Sequence, residues 1–153
     1  MSAVLDLTPR LRPMGAADLE PVLAIEREIY SHPWTLGNFR DALQAGYSCW
    51  LMGCGNDLVG YGVLMAGVGE AHLLNLSIAA RSQRRGLGGQ LLQHFIEIAR
   101  SYQVQRMLLE VRPSNDAARA LYARAGFQAL AVRRGYYPAE GQREDAIVMQ
   151  LEL

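Results

Sequence analysis

The sequence predicts an α/β fold, a mixed sheet flanked by helices in a single domain. Three observations carry this. Residues 47–80 read as three successive strand segments joined by short turns. A glycine-rich loop, Gln83 to Gly89, then opens a long amphipathic helix. After it come an apolar strand, a second helix and two closing strands, the alternation expected of one layered α/β unit. At 153 residues the chain is one domain by length, residues 1–153, and long enough to bury a core.

The elements follow from local residue chemistry. Residues 7–14, "LTPRLRPM", read as a short strand whose prolines favour an edge or a strand end. From Ala16 to Tyr30, Leu19, Val22, Leu23, Ile25 and Ile29 recur at helical spacing. Pro33 disfavours helix at His32, so "SHPW" ends that helix, and Thr35 is an N-cap for a second, Leu36 to Ala45. "YSCWLMGC" and "LVGYGVLMAG" flank Gly55, Asn56 and Asp57, residue types that form hairpin turns. "EAHLLNLSIAA" is the third strand of this meander. Leu87, Leu91, Leu92, Phe95, Ile96 and Ala99 mark one face of a helix running to about Tyr102. "RMLLEV" has the continuous apolar character of a strand in a sheet centre. "PSN" caps a helix from Asp116 to Ala125 that stops at Gly126. "FQALAVRRGYY" and "EDAIVMQLEL" close the order.

Composition excludes several classes of chemistry. Acidic and basic residues balance at fifteen each, so no global field favours nucleic acid. Every basic residue is an arginine. Without lysine there is no Schiff-base chemistry and no Walker phosphate loop. Cys49 and Cys54 lack partners at zinc-finger spacing and read as reduced thiols. The first residues do not have the pattern of a signal peptide, and no apolar run approaches the roughly 18 residues of a membrane span. A cytoplasmic protein is expected.

The loop is the first functional signal. A helix N-terminus offers unpaired N–H groups and partial positive charge, and glycine lets an anion approach the backbone. Arg81, Arg84 and Arg85 add charge, though a glycine-rich turn with merely solvated arginines has the same composition. The second signal is residues 108–122, "LLEVRPSNDAARALY". Glu110 lies in an apolar strand, where an unpartnered carboxylate is costly; it either faces solvent, pairs with Arg112, or has a chemical role. Tyr122 lies on the apolar side of the next helix, where a tyrosine reads as core filler. Ser114 and Asn115 serve by default as a helix cap.

The spacing Gln83-x-x-Gly86-x-Gly88 resembles the pyrophosphate loop of the GCN5-related N-acetyltransferase (GNAT) family. "LEVRPSNDAARALYARAGF", "RRGYYP", "REDAIVM" and "HPWT" resemble its bacterial ribosomal-protein alanine N-acetyltransferase branch, from about Leu11 to Leu151. The resemblance implies the GNAT fold, with a mostly antiparallel central sheet. It implies acetyl-coenzyme A as cosubstrate, bound by Leu76, Ser77, Ile78, Arg84, Arg85, Gly86, Leu87, Gly88, Gly89 and Asn115. Glu110 is then the general base and Tyr122 the general acid. The implied substrate is the N-terminal alanine of small-subunit ribosomal protein eighteen, with a relaxed-specificity N-terminal or small-amine acetyltransferase as the alternative. Tyr30, Trp34 and Tyr137 would border the peptide, unless Trp34 and Tyr137 only pack their loops; Glu144 and Asp145 would face it or begin the last strand. No metal, nucleic acid or membrane is called for, and a monomer or weak dimer is expected.

Elementary chemistry agrees with those roles. An α-amine titrates near 7.7–8.0, so roughly 10–20% is neutral at pH 7, against about 0.04% of a lysine amine. A carboxylate acting through water is therefore a reasonable base for an N-terminus. Tyrosine, with an ordinary pKa of about 10, is protonated at neutral pH and can supply a departing thiolate.

Overall fold

The structure is a computed structural model that describes residues 8–153. Residues 1–7, including Leu7 of the expected first strand and the start of the segment read for a signal peptide, lie outside the described residues. The strands are Arg10–Pro13 (β1), Ser48–Cys54 (β2), Asp57–Ala66 (β3), Glu70–Ile78 (β4), Arg106–Val111 (β5), Gln128–Tyr137 (β6) and Glu144–Glu152 (β7). The α-helices are Leu19–Ile29 (α1), Leu36–Gln44 (α2), Leu87–Ser101 (α3) and Asp116–Arg124 (α4). One seven-stranded sheet runs in the order β1-β2-β3-β4-β5-β7-β6. Strand β4 pairs with β5 in parallel, with His72 opposite Leu108, whereas β1–β2, β5–β7 and β6–β7 are antiparallel. The expected mixed sheet flanked by helices is present.

By proximity of its residues the chain divides into two compact units. One runs up to Val63 and includes Asn75–Leu91; the other comprises Leu64–Leu74 and Leu92–Leu153.

In the first unit, α1 starts later than its apolar spacing implies. Asp18 accepts hydrogen bonds from the Gly15 amide at 2.8 Å and from Arg12 at 2.7 and 3.0 Å. These hold Ala16–Asp18 as a 3-10 turn, and the α-helix follows from Leu19. Thr35 does cap α2: its hydroxyl accepts from the Asn38 amide at 3.1 Å, and Asn38 Oδ1 accepts from the Thr35 amide at 2.9 Å. Phe39 is fully buried, its ring 5.0 Å from Trp34 and 5.9 Å from Tyr61.

The buried face of α1 carries Leu19, Val22, Leu23, Ile25 and also Glu26. A carboxylate in that position needs donors, since an uncompensated buried charge costs several kcal/mol. Glu26 has three. Its Oε1 accepts from the Tyr61 phenol at 2.8 Å and Asn75 Nδ2 at 3.2 Å, and its Oε2 from the Trp34 amide at 2.9 Å. Burial, and then the charge of Glu26, push the Tyr61 phenol far above its ordinary range. The network continues: Ser77 Oγ donates to Asn75 Oδ1 at 2.6 Å, which leaves the Tyr30 phenol to donate to Ser77 Oγ at 2.7 Å. Burial pushes Tyr30 up to about 12, so it stays a neutral donor.

In the second unit, β5 alternates buried Met107, Leu109 and Val111 with half-buried Arg106, Leu108 and Glu110. The buried set stands opposite Leu151, Met149 and Ile147 of β7. Leu92, Phe95, Ile96 and Ala99 of α3 are buried, as expected from their spacing. Helix α4 ends as read: Gly126 has φ +102°, left-handed backbone that disfavours a side chain, and a Cβ there would lie 3.3 Å from Leu151 Cδ1. The turn delivers Phe127 into the core, its ring 5.8 Å from that of Tyr122.

Replacing Glu26 by alanine strands three donors, the buried Tyr61 phenol and Asn75 amide and the part-buried Trp34 backbone amide. It should lower the unfolding free energy by roughly 2–4 kcal/mol in urea titration, and Tyr61→Phe by about 1–2 kcal/mol. A Glu26→Ala loss below about 1 kcal/mol would mean that solvent replaces the carboxylate at little cost.

Candidate active site

The first set of predicted residues lies in the first unit, on the end of β4 and the loop into α3. Leu76–Ile78 form the last three residues of β4. Several neighbours fix them. Gln83 Nε2 donates to the Ile78 carbonyl at 3.0 Å, the Ala79 amide to the Val59 carbonyl at 2.8 Å, and the Tyr30 phenol lies 3.3 Å from the Leu76 carbonyl. Strand β3 approaches most closely at Gly60. A Cβ on Gly60 would lie 2.6 Å from Ile78 Cδ1 and 2.9 Å from the Ser77 carbonyl oxygen. No local signal in "VGYGV" distinguishes this glycine from its neighbour.

The loop itself has an unusual backbone. Arg84 and Gly86 both have positive φ, 64° and 77°. Left-handed residues placed this closely help turn successive N–H groups towards a common point, a concavity suited to an anion. Helix α3 starts at Leu87, so the amides of Leu87, Gly88 and Gly89 fall in its first turn, where donors lack intrahelical acceptors. Arg81, Arg84, Arg85 and Gly86 are exposed. Amides without intrahelical acceptors, a side-chain-free exposed Gly86 and nearby exposed arginines fit a diphosphate.

The second set lies in the second unit. Glu110 projects from the half-buried face of β5 and is only 10% exposed. Its Oε2 is hydrogen-bonded to His72 Nε2, and its Oε1 accepts from Arg133 Nη1 at 3.2 Å. The partner considered from sequence, Arg112, is engaged elsewhere. Arg112 donates to Glu144 at 3.1 Å and to the Pro138 carbonyl at 2.9 Å, with its guanidinium 4.4 Å from the centroid of Tyr137. Burial alone would raise the Glu110 carboxyl. The hydrogen bonds and charges of His72 and then Arg133 outweigh burial and hold it below the ordinary carboxylate range. Glu110 is therefore ionised at neutral pH.

Tyr122 is buried on α4. Asn115 is the N-cap of that helix, its Oδ1 accepting from the Ala118 amide at 3.2 Å. Tyr137 is half-buried, and burial first, with the negative charge of Glu110 among the further causes, pushes its phenol up. Both acids at the start of β7 have partners within the chain. Glu144 accepts from the Ser114 amide and hydroxyl at 3.0 Å each, besides Arg112, and Asp145 accepts from the Gly135 amide at 2.9 Å. Trp34 stacks against Phe39 while its amide is held by Glu26. Tyr30 belongs to the buried network.

Glu26, Gly60, His72 and Arg133 were absent from the sequence reading. Glu26 had a usable signal, an acid at apolar spacing in α1. His72 had a weaker one, a titratable residue alternating with buried positions of β4. Arg133 had none, because its partner is 23 residues away. Among the described residues no cluster of three or more His, Cys, Asp or Glu side chains is arranged to hold a metal, and no helix is long and apolar enough to cross a membrane.

Residues 19–127 match the sequence pattern of the acetyltransferase (GNAT) family. Over 140 residues the chain is 35% identical to the ribosomal protein bS18-alanine N-acetyltransferase of Escherichia coli K12, covering 92% of this chain and 95% of that enzyme. It is 30% identical to the putative enzyme of that name from Bacillus subtilis, over 91% of this chain and 92% of the relative. The crystal structure of the ribosomal-protein-alanine N-acetyltransferase from Escherichia coli superposes with a TM-score of 0.88 at 32% identity, over 95% of this chain and 94% of that one. The chain belongs to the GNAT acetyltransferase family.

Proposed function

We propose that this protein transfers the acetyl group of acetyl-coenzyme A to the N-terminal α-amine of a ribosomal protein, the alanine of bS18. The observation that carries this reading is similarity over nine-tenths of the chain to enzymes named for that reaction, with the carboxylate at position 110 ionised and anchored. A GNAT-fold neighbour, a putative acetyltransferase from Salmonella typhimurium with a TM-score of 0.80 at 20% identity, is described with acetyl-coenzyme A as its cofactor.

In this reading Leu76, Ser77 and Ile78 pair with the pantetheine arm as an added strand would. The amides of Arg84 to Gly89 cradle the pyrophosphate, and Asn115 contacts the cosubstrate. Glu110 supplies the base that frees the amine lone pair, and the amine attacks the thioester carbonyl directly. Tyr122 donates a proton to the departing thiolate. Tyr30, Trp34 and Tyr137 border the incoming N-terminus. A thioester is reactive enough and an α-amine acidic enough that the step needs no metal. Balanced net charge accords with a protein substrate reached without nucleic-acid contact. The chain works as one N-acetyltransferase domain, cytoplasmic, as a monomer or weak dimer.

Mass spectrometry separates this from the alternatives. A peptide with the free N-terminal alanine of bS18 should gain one acetyl, while a blocked peptide with an internal lysine should gain none. Equal turnover of many unrelated termini would replace the ribosomal assignment by a relaxed-specificity enzyme. Glu110→Gln and Tyr122→Phe should each lower kcat on the alanine peptide by about 10²-fold at neutral pH. Unchanged rates in both would remove them from the chemistry.

Backbone approach should matter more than loop charge. Gly86→Val forces a β-branched residue into left-handed backbone, and Gly60→Ala pushes on the Ser77 carbonyl. Each should raise the KM for acetyl-coenzyme A about tenfold or more, a loss of roughly 1.4 kcal/mol in binding, whereas Arg84→Ala should cost less. An Arg84→Ala defect larger than both would contradict the backbone cradle.

A further inference from the structure

His72 sits on the half-buried face of β4, opposite Leu108 of β5, and reaches Glu110 two residues further along that strand. The chemistry of the contact determines its polarity. An ionised carboxylate only accepts hydrogen bonds, so His72 Nε2 carries the hydrogen and donates it to Oε2 of Glu110. In a neutral imidazole the lone pair is then on Nδ1. Arg133 occupies the other carboxylate oxygen, Oε1. Glu110 is thus pinned between two donors and 10% exposed, whereas the imidazole is 24% exposed. Of the pair, the imidazole is the member more open to solvent.

The charged groups around the pair are few. Strand β5 contributes Glu110 and β6 contributes Arg133, with Tyr137 near enough for its phenol to feel the Glu110 charge. The next charged side chains on β4 and β5, Glu70 and Arg106, pair with each other. The one cation that reaches Glu110 among the described ion pairs besides His72 is Arg133, on the other carboxylate oxygen.

We propose that His72 is the proton acceptor of this enzyme, with Glu110 as the carboxylate that orients it and stabilises its imidazolium. The inference rests on the reading that Glu110 belongs to the base, and assigns the base to a pair instead of a lone carboxylate. The same logic governs carboxylate–histidine pairs in hydrolases, where the carboxylate sets the tautomer without itself taking the proton. The carboxylate of Glu110, held below its ordinary range, is a weak resting place for a proton. The imidazole of His72 offers a ring nitrogen lone pair, is more exposed than the carboxylate, and is held by it in one orientation.

The proton balance closes. An N–H bond of the ammonium breaks, and its proton passes to Nδ1 of His72, directly or through a water. The imidazolium donates from Nε2 to Glu110. The neutral amine attacks, the C–S bond of the adduct breaks, and the thiolate takes a proton from Tyr122. The cationic nitrogen of the adduct returns a proton to the tyrosinate through solvent. His72 then releases the first proton to water, so that one amide, one thiol and one proton result.

The test is the pH dependence of acetylation of a peptide with a free N-terminal alanine. His72→Gln and Glu110→Gln should each lower kcat about 10²-fold at pH 7, with the KM for acetyl-coenzyme A within about twofold of wild type. The double variant should be no worse than about threefold below either single one, because the two act as a unit. The defect should shrink to about tenfold or less at pH 9, where the amine is largely neutral by itself. Added imidazole should restore activity to His72→Ala and not to Glu110→Gln.

A His72→Gln rate close to wild type, with Glu110→Gln impaired, overturns the pair and leaves Glu110 as sole base. Full activity in Glu110→Gln overturns the base reading itself. A His72→Gln loss that is equal at every pH and unmoved by imidazole reduces His72 to a structural contact. Should the His72 variants fail to fold, nitrogen-15 histidine spectra of the wild type decide: an Nε2–H tautomer at neutral pH supports the pair, and an Nδ1–H tautomer overturns it.

Discussion

The buried carboxylate of Glu26 is the constraint on which the first unit is organised. It stands on the core-facing side of α1, 1% exposed, where an unpaired charge would cost several kcal/mol. The three donors that meet it come from three different places in the chain: Tyr61 on β3, Asn75 on β4 and the amide of Trp34 between α1 and α2. Satisfying one carboxylate therefore fixes a helix, two strands and a connection at once. Through Asn75 and Ser77 the same hydrogen-bonded chain reaches the end of β4 and Tyr30, whose phenol lies 3.3 Å from the Leu76 carbonyl. Residues 76–78 are held by this network on one side and by the bare backbone of Gly60 on another. A half-satisfied network would be worse than an apolar core, which explains why every member has a partner.

Two glutamates on apolar elements thus have opposite fates. Glu26 meets neutral donors in full burial, an arrangement that specifies geometry. Glu110 meets a histidine and an arginine on a half-buried face. The two sets of partners differ in chemistry: a phenol, an amide and a backbone N–H around Glu26, an imidazole and a guanidinium around Glu110. The contrast comes from the partners, since both residues lie on elements whose buried residues are otherwise apolar.

Charge is handled locally throughout. The molecule is neutral overall, yet Arg84 and Arg85 are exposed at the N-terminal end of α3, where the helix dipole adds to them. In the second unit, Arg133 of β6 and Arg112 just after β5 are tied to Glu110, to Glu144 and to tyrosine rings. A screening length of about 8 Å at physiological salt makes such local groupings more telling than the net charge.

Elements built from nearest neighbours were legible in the residues: the apolar stripes of α1 and α3, the Thr35 and Asn115 caps, the stop at Gly126, and the glycine loop that opens α3. Each depends on interactions within a few positions along the chain, which local spacing encodes. Long-range pairing was not legible. That β4 and β5 run parallel, that β7 lies between β5 and β6, and that Glu110 chooses His72 and Arg133 over the nearby Arg112 follow from sheet register, which joins residues tens of positions apart. The acid at 26 shows the boundary most clearly. Its spacing placed it on the buried face, but only the tertiary structure supplied the three donors that make burial of its charge tolerable.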